Sequence, residues 1–347
     1  MGFKFQFLLC TFVSVLFICR QIAAAGQCNL FHGQWVYDPS SYPLYNSSTC
    51  PFIDPMFDCQ KFGRPDRGFL KYSWKPNSCN LPRFDGANLL RRLRGKKIMF
   101  VGDSISLNQW SSLVCLLHAA VPNARTTFEK SPITYVKFEE YDVTILWNWS
   151  PFLVDIVQEP RGRVLNLNSI EQGKKAWRGM DVLVFDTWHW WTFNGTAKIW
   201  DYVRDGSTVR KDMNRVAAFY KGLRTWARWV NTSVDSSRTK LFFQGISPDH
   251  YWGHEWGSRA NNCAGEQQPV KGARYPAGRP EAAKIVDKVS SRLRKAVHVL
   301  DITTMSQLRK DAHPSIYNQN HSGSDCTHWC LPGLPDTWNQ LFYAALV

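Results

Sequence analysis

Lys97-Ile98-Met99-Phe100-Val101-Gly102-Asp103-Ser104 is a basic entry, an apolar run and a tight polar exit. A short apolar run of this kind reads as a buried parallel strand, with Ser104 at its C-terminal end. Beyond it, Leu107, Trp110, Leu113, Val114 and Leu117 recur at three-and-four spacing, which predicts an amphipathic helix over 106–117. Ser104 is thereby placed on a strand-to-helix turn. Such a turn exposes the hydroxyl at the carboxyl edge of a sheet and aims the first amides of the helix at any oxyanion forming beside it. An acyl-transfer nucleophile belongs there.

A serine hydroxyl needs a base to take its proton, and the base needs a carboxylate to fix its tautomer. Asp325-Cys326-Thr327-His328, near the C-terminus, offers both. Three residues apart on one turn, the carboxylate reaches one ring nitrogen while the other faces Ser104. A Gly-Asp-Ser tripeptide alone is commonly a turn, and a lone Asp-x-x-His is commonly a surface pair. Their order and contexts make the combination informative.

Further along, Val143-Thr144-Ile145-Leu146-Trp147, Val182-Leu183-Val184-Phe185, Leu241-Phe242-Phe243 and Val297-His298-Val299-Leu300 read as buried strands. Helical patterns separate them, the clearest over Met213 to Val230 and another over roughly Glu281 to Ala296. This alternation predicts an α/β fold of three layers, a central parallel sheet covered by helices on both faces, with ligands at the carboxyl ends of the strands. Asp186 and His189 follow the Val182 strand and should line the same crevice as Ser104.

Length and composition fit an enzyme. A chain of 347 residues with 44% apolar content buries a substantial core and is not disordered. Lys4 precedes an apolar run from Phe7 to Cys19 that is short for a membrane span, and Ala23-Ala24-Ala25-Gly26 offers a small-residue cleavage site. Residues 1–25 therefore read as a cleaved signal peptide, with an uncleaved signal anchor as the alternative. Two cysteines fall in that segment. The remaining Cys28, Cys50, Cys59, Cys79, Cys115, Cys263, Cys326 and Cys330 make an even set suited to four disulfides in an oxidising compartment. Half of them precede the nucleophile strand, where Pro-rich sequence has little periodicity and staples replace a core. A zinc site at His328 between Cys326 and Cys330 is disfavoured, because the Cys-x-x-Cys spacing of structural zinc sites is absent. Sequons at Asn46, Asn148, Asn194, Asn231 and Asn320 add to the secretory reading, although Asn148 lies in a strand-like run.

The two blocks Val101-Gly102-Asp103-Ser104-Ile105-Ser106-Leu107-Asn108-Gln109-Trp110 and Asp325-Cys326-Thr327-His328-Trp329-Cys330-Leu331-Pro332-Gly333 resemble the signatures of the plant trichome birefringence-like family. The resemblance extends to Cys28-Asn29-Leu30-Phe31-His32-Gly33-Gln34-Trp35-Val36 and Tyr42-Pro43-Leu44-Tyr45, which look like that family's cysteine-rich N-terminal domain. It implies a GDSL or SGNH-like catalytic domain over 91–347, a small disulfide-rich domain over 26–90, and O-acetylation of cell-wall polysaccharide. It also places the family's Ser, Asp and His on Ser104, Asp325 and His328. The implied disulfides are Cys28 with Cys79, Cys50 with Cys115, Cys59 with Cys330 and Cys263 with Cys326. Gly102, Asp103, Asn108, Asp186 and His189 are secondary candidates around the oxyanion; related families often carry Asn where this chain has Asp186.

Charge bears on partners. Without residues 1–25, which hold Lys4 and Arg20 and no acids, the formal charge of +14 falls by two. In the secretory pathway a basic surface meets acidic polysaccharide such as de-esterified pectin rather than nucleic acid. The cluster Arg91-Arg92-Leu93-Arg94-Gly95-Lys96-Lys97 could steer such a chain, but the commoner reading is a solvated helix end. Trp188, Trp190 and Trp191 beside the crevice offer flat faces for sugar rings, although most aromatics are simply core. The expected reaction is acetyl transfer to an acidic or neutral cell-wall polysaccharide, pectin or xylan, in the Golgi or the wall. It needs an acetyl donor and no bound cofactor or metal. An acetylesterase would use the same residues, and a non-catalytic pectin-binding wall protein would use neither Ser104 nor His328.

Overall fold

The computed structural model describes residues 28–319 and 323–347. The expected targeting segment and the sequon at Asn320 lie outside them. In chain order the elements are β1 (Gly33–Tyr37), β2 (Tyr72–Pro76), α1 (Gly86–Arg92), β3 (Lys97–Gly102), α2 (Ser104–Ala120), β4 (Thr126–Glu129), β5 (Thr134–Phe138) and β6 (Val143–Trp149). There follow β7 (Asp155–Glu159), β8 (Gly162–Asn166), α3 (Glu171–Trp177), β9 (Val182–Phe185), β10 (Tyr202–Asp205), β11 (Thr208–Arg210) and α4 (Arg215–Ser233). The last are β12 (Lys240–Gln244), α5 (Glu281–Ser290), β13 (Val297–Leu300), α6 (Thr303–Gln307) and α7 (Leu334–Leu346).

The central sheet has the order β13-β12-β9-β3-β6-β5-β4. Its first five strands are parallel and β5 and β4 turn back antiparallel at one edge. Because side chains alternate across a strand, β3 divides its residues between two cores. Ile98 and Phe100 face a cluster with Leu113, Leu117, Trp338 and Phe342 of α2 and α7. Met99 and Val101 face one with Trp177, Phe219, Trp226 and Val286 of α3, α4 and α5. The result is the three-layer α/β/α arrangement expected. Ser104, Asp186 to His189 and Ser247 to His250 follow β3, β9 and β12 respectively, so three parallel strands deliver their exits to one edge.

Several departures have physical causes. Strands β4, β5, β7, β8, β10 and β11 carry charged or polar residues among short apolar ones, such as Lys137, Glu159, Arg163 and Thr208, and so give no continuous apolar run. Four of them form a separate sheet, β11-β10-β8-β7. Helix α5 ends at Ser290 rather than near Ala296. Consecutive serines and the like charges of Arg292, Arg294 and Lys295 stop it, and the Arg294 amide donates instead to Asn231 Oδ1 at 2.9 Å.

The segment before α1 contains the β1–β2 hairpin and its own Cys28–Cys79 disulfide. It does not stand apart. Tyr45, Phe52, Phe69 and Trp74 belong to the same core cluster as α2 and α7. Cys50 bridges to Cys115 on α2, Cys59 to Cys330, and Cys263 to Cys326, so all four pairs implied by the resemblance are present.

Candidate active site

The nucleophile turn is built locally. Asp103 caps α2: its Oδ1 accepts the Ile105 amide at 2.9 Å, and its carbonyl accepts the Ser106 and Leu107 amides. Its second carboxylate oxygen faces the amides of Trp188 and His189, at 3.4 and 3.3 Å, tying the turn to the exit of β9. Gly102 permits that approach, since a Cβ there would lie 2.3 Å from the Asp186 carbonyl oxygen. Ser104 opens α2, and as a first-turn amide its N–H has no acceptor within the helix.

His328 reaches Ser104 from the far end of the chain. His328 Nε2 lies 2.7 Å from Ser104 Oγ, and His328 Nδ1 lies 2.8 Å from Asp325 Oδ2. With Nδ1–H donating to the carboxylate, Nε2 is left to accept the serine proton. Asp325 Oδ1 accepts the amides of Thr327 and His328 at 3.1 and 3.0 Å. Burial opposes ionisation of Asp325, but the His328 ring and these two amides outweigh it and hold the carboxyl well below the usual carboxylate range.

The loop carrying His328 is braced on every side. The Asp325 and Ser315 backbones exchange two hydrogen bonds, at 2.8 and 3.0 Å. Trp329 donates its amide to Asn108 Oδ1 at 2.8 Å and accepts Asn108 Nδ2–H at its carbonyl at 3.1 Å. From the N-terminal segment, Phe57 packs its ring 5.6 Å from that of His328 and accepts the Leu331 amide at its carbonyl. Beneath it, His313 Nδ1–H donates to the His328 carbonyl at 2.7 Å and its ring stacks on Trp329 at 3.9 Å. His250 Nδ1 lies 2.6 Å from His313 Nε2, and His250 Nε2 lies 2.9 Å from the Gln307 carbonyl oxygen. Burial pushes both rings down, His250 to about 4. Buried Arg64 completes the brace: Nη1 donates to the His313 carbonyl at 2.7 Å and Nη2 to the Asp311 carbonyl at 2.6 Å, while Nε pairs with Asp66.

The other candidates are distributed differently from expectation. Asn108 is fully buried with both amide atoms engaged by Trp329, so it ties two elements together instead of donating to an oxyanion. His189 turns Nε2 to the Ser247 carbonyl at 3.0 Å. Asp103 is an acceptor of amides. Asp186 is buried; burial first, then the charge of Asp103 and a hydrogen bond to it, push its carboxyl well above the usual range. Trp191 is core, while Trp188 and Trp190 are half-buried. Asn148 Oδ1 accepts Trp177 Nε1–H at 3.0 Å inside β6. Asn46 and Asn194 are exposed, and Asn231 is half-buried. Cys326 and Cys330 are spent in disulfides, leaving no thiolate for a metal at His328. Lys96 of the basic cluster pairs with Asp181 at 2.8 Å. The brace of Arg64, His250 and His313 was not anticipated. Its members are scattered over the chain and no spacing joins them.

Residues 81–345 match a family model described as the GDSL/SGNH-like acyl-esterase family found in Pmr5 and Cas1p, and residues 26–80 match the PMR5 N terminal domain. Protein trichome birefringence-like 38 of Arabidopsis thaliana is 60% identical over 94% of this chain and 86% of its own length. The chain belongs to the trichome birefringence-like family. Protein trichome birefringence-like 42 of the same plant is 50% identical over 93% of this chain and 90% of its own length. Protein trichome birefringence is 38% identical over 92% of this chain and 56% of its own length. The matched esterase-type domain spans Ser104, Asp325 and His328 and supports esterase or acyl-transfer activity for this family member. Among the described residues no helix is long and apolar enough to cross a membrane.

Proposed function

We propose that this trichome birefringence-like protein is an O-acetyltransferase of plant cell-wall polysaccharide, pectin or xylan, working through an acetyl-serine. The observation that carries the reading is the relay from Ser104 Oγ to His328 Nε2 at 2.7 Å and from His328 Nδ1 to Asp325 at 2.8 Å, set at the carboxyl edge of the sheet. In the first half, Ser104 Oγ attacks the carbonyl carbon of the acetyl donor while its proton passes to His328 Nε2. Asp325 stabilises the imidazolium that forms, and the free Ser104 amide at the start of α2 donates to the oxyanion. Collapse expels the donor's leaving group, which takes the proton from His328. In the second half a sugar hydroxyl gives its proton to His328 and attacks the acetyl-serine, and collapse breaks the acyl–Oγ bond as His328 returns that proton to Ser104 Oγ.

With water as the acceptor the same steps make an acetylesterase. The acyl-esterase description of the matched family favours keeping that second reading. Four disulfides support a secretory location, the Golgi lumen or the wall. The test is incubation with deacetylated pectin or xylan oligosaccharides plus an acetyl donor, and separately with acetylated ones, followed by mass spectrometry. Acetyl groups gained by the acceptor, and lost with Ser104→Ala, are expected. Acetate release alone would make it an esterase, and no turnover with intact binding would leave only a wall-binding protein.

A further inference from the structure

Among the described residues large apolar side chains are mostly buried, and the exposed ones are unevenly placed. Of Val36, Tyr37, Phe128, Trp149, Tyr251, Trp252, Ile316 and Val347, the aromatic Trp149, Tyr251 and Trp252 lie on segments bonded to those that carry Ser104 and His328. Trp149, 42% exposed, ends β6 in register with Gly102, two residues before the nucleophile. Its ring meets that of Trp190, on the turn after β9, at 5.0 Å. On the other side, the Tyr251 hydroxyl accepts the Cys326 amide and the Thr327 hydroxyl proton, both at 3.3 Å, within the loop that carries the base. Trp252, next to it, is 60% exposed.

Trp149 is held by the nucleophile side of the site and Tyr251 by the base side. Exposed aromatic rings scattered singly carry no meaning, but rings grouped in pairs on both sides of one site mark a surface that binds something. A pyranose ring suits them, having an apolar C–H face to lie on an aromatic ring and hydroxyls that stay wet. We propose that Trp149 with Trp190, and Tyr251 with Trp252, are two sugar-stacking platforms flanking Ser104, so that a glycan chain of several units lies across the site with the reacting hydroxyl between them. This rests on the acceptor reading given above and adds to it which side chains hold the sugar units that do not react.

The experiment is calorimetric binding of deacetylated xylo-oligosaccharides and oligogalacturonides of increasing length to full-length Ser104→Ala protein. Affinity for one series should rise with length, and Trp149→Ala and Trp252→Ala should each lower it by about tenfold for the longer members. Tyr37→Ala and Phe128→Ala, which remove exposed aromatics elsewhere, should leave it unchanged. Thermal melting of each variant shows whether it is folded. Equal affinity in all variants, equal loss in the Tyr37 and Phe128 controls, or no binding of either series would overturn the platforms. Failure of acyl transfer is a separate result: length-dependent binding lost with Trp149→Ala but without acetyl transfer sinks only the catalytic reading. Acetyl transfer to a single sugar as good as to a chain sinks only the platforms.

Discussion

Ser104 and His328 sit 2.7 Å apart yet are positioned in opposite ways. Ser104 is held by its neighbours: a cap from Asp103, a strand before it, a helix after it, and one close approach at Gly102. His328 is held mostly by residues far away in sequence, Arg64, Phe57, Asn108 and His250, which with His313 converge on a loop that has no helix or strand across 323–332. A strand and a helix satisfy their own backbone groups, whereas an irregular loop must find partners elsewhere. The base side should therefore be the more fragile half, and the N-terminal segment is part of its support.

Arg64 gives the sharpest break. Removing its guanidinium leaves Asp66 unpaired and the buried carbonyls of Asp311 and His313 without donors. Arg64→Ala should cost ~3–5 kcal/mol in urea unfolding and remove most turnover even under conditions where the variant remains folded. A loss below about 1 kcal/mol would mean that the loop supports itself. Next in size is a pH effect where the two halves meet. Asp336 of α7 accepts Ser112 Oγ–H of α2 at 2.6 Å and the Gly333 amide at 2.8 Å, and burial pushes its carboxyl up to about 7. A raised pKa means that the native state holds the proton more tightly than the unfolded chain does. That stability is complete below the unfolded value near 3.8 and is lost as pH rises through about 7. The loss should reach up to ~4 kcal/mol, at about 1.4 kcal/mol per pK unit. Unfolding free energies measured from about pH 4 to pH 8 should fall in the parent, with the fall levelling off above pH 7, and run flatter in Asp336→Asn. Parallel curves would refute the assignment.

On the nucleophile side, Gly102→Ala forces a methyl toward the Asp186 carbonyl, 2.3 Å from the ideal Cβ position. It should cost ~1–3 kcal/mol and displace the turn, lowering kcat. The two halves also differ in how much of them could be read from sequence. The Lys97 to Leu117 stretch is legible because one short apolar run and one three-and-four pattern specify strand, turn and helix together. Asp325 and His328 were legible as a pair only because both lie on one turn. What holds that turn was not, since Arg64 and His313 are 249 residues apart and neither belongs to a local pattern. The second sheet was missed for a related reason. Its strands alternate too many charges with too few apolar residues for period-two reading, and tertiary packing of residues such as Val164, Leu165 and Val203 decides them.

Asn108 is the smallest and most discriminating case, because it is a side chain of the nucleophile helix that bonds the backbone of the base loop directly. Asn108→Ala removes both bonds to Trp329 and leaves that buried amide and carbonyl without their partner, for ~1–2 kcal/mol of stability. Its kinetic effect should be separable from its structural one. If the bonds set the distance between His328 and Ser104, kcat falls about tenfold while KM barely moves, because the fully buried Asn108 reaches no bound substrate. Asn108→Asp keeps an acceptor for the Trp329 amide but has no donor for the Trp329 carbonyl, so it should lie between parent and alanine in kcat. An alanine variant that loses stability but keeps kcat would show that the remote braces alone place the base, and that the contact across the site only adds to the packing.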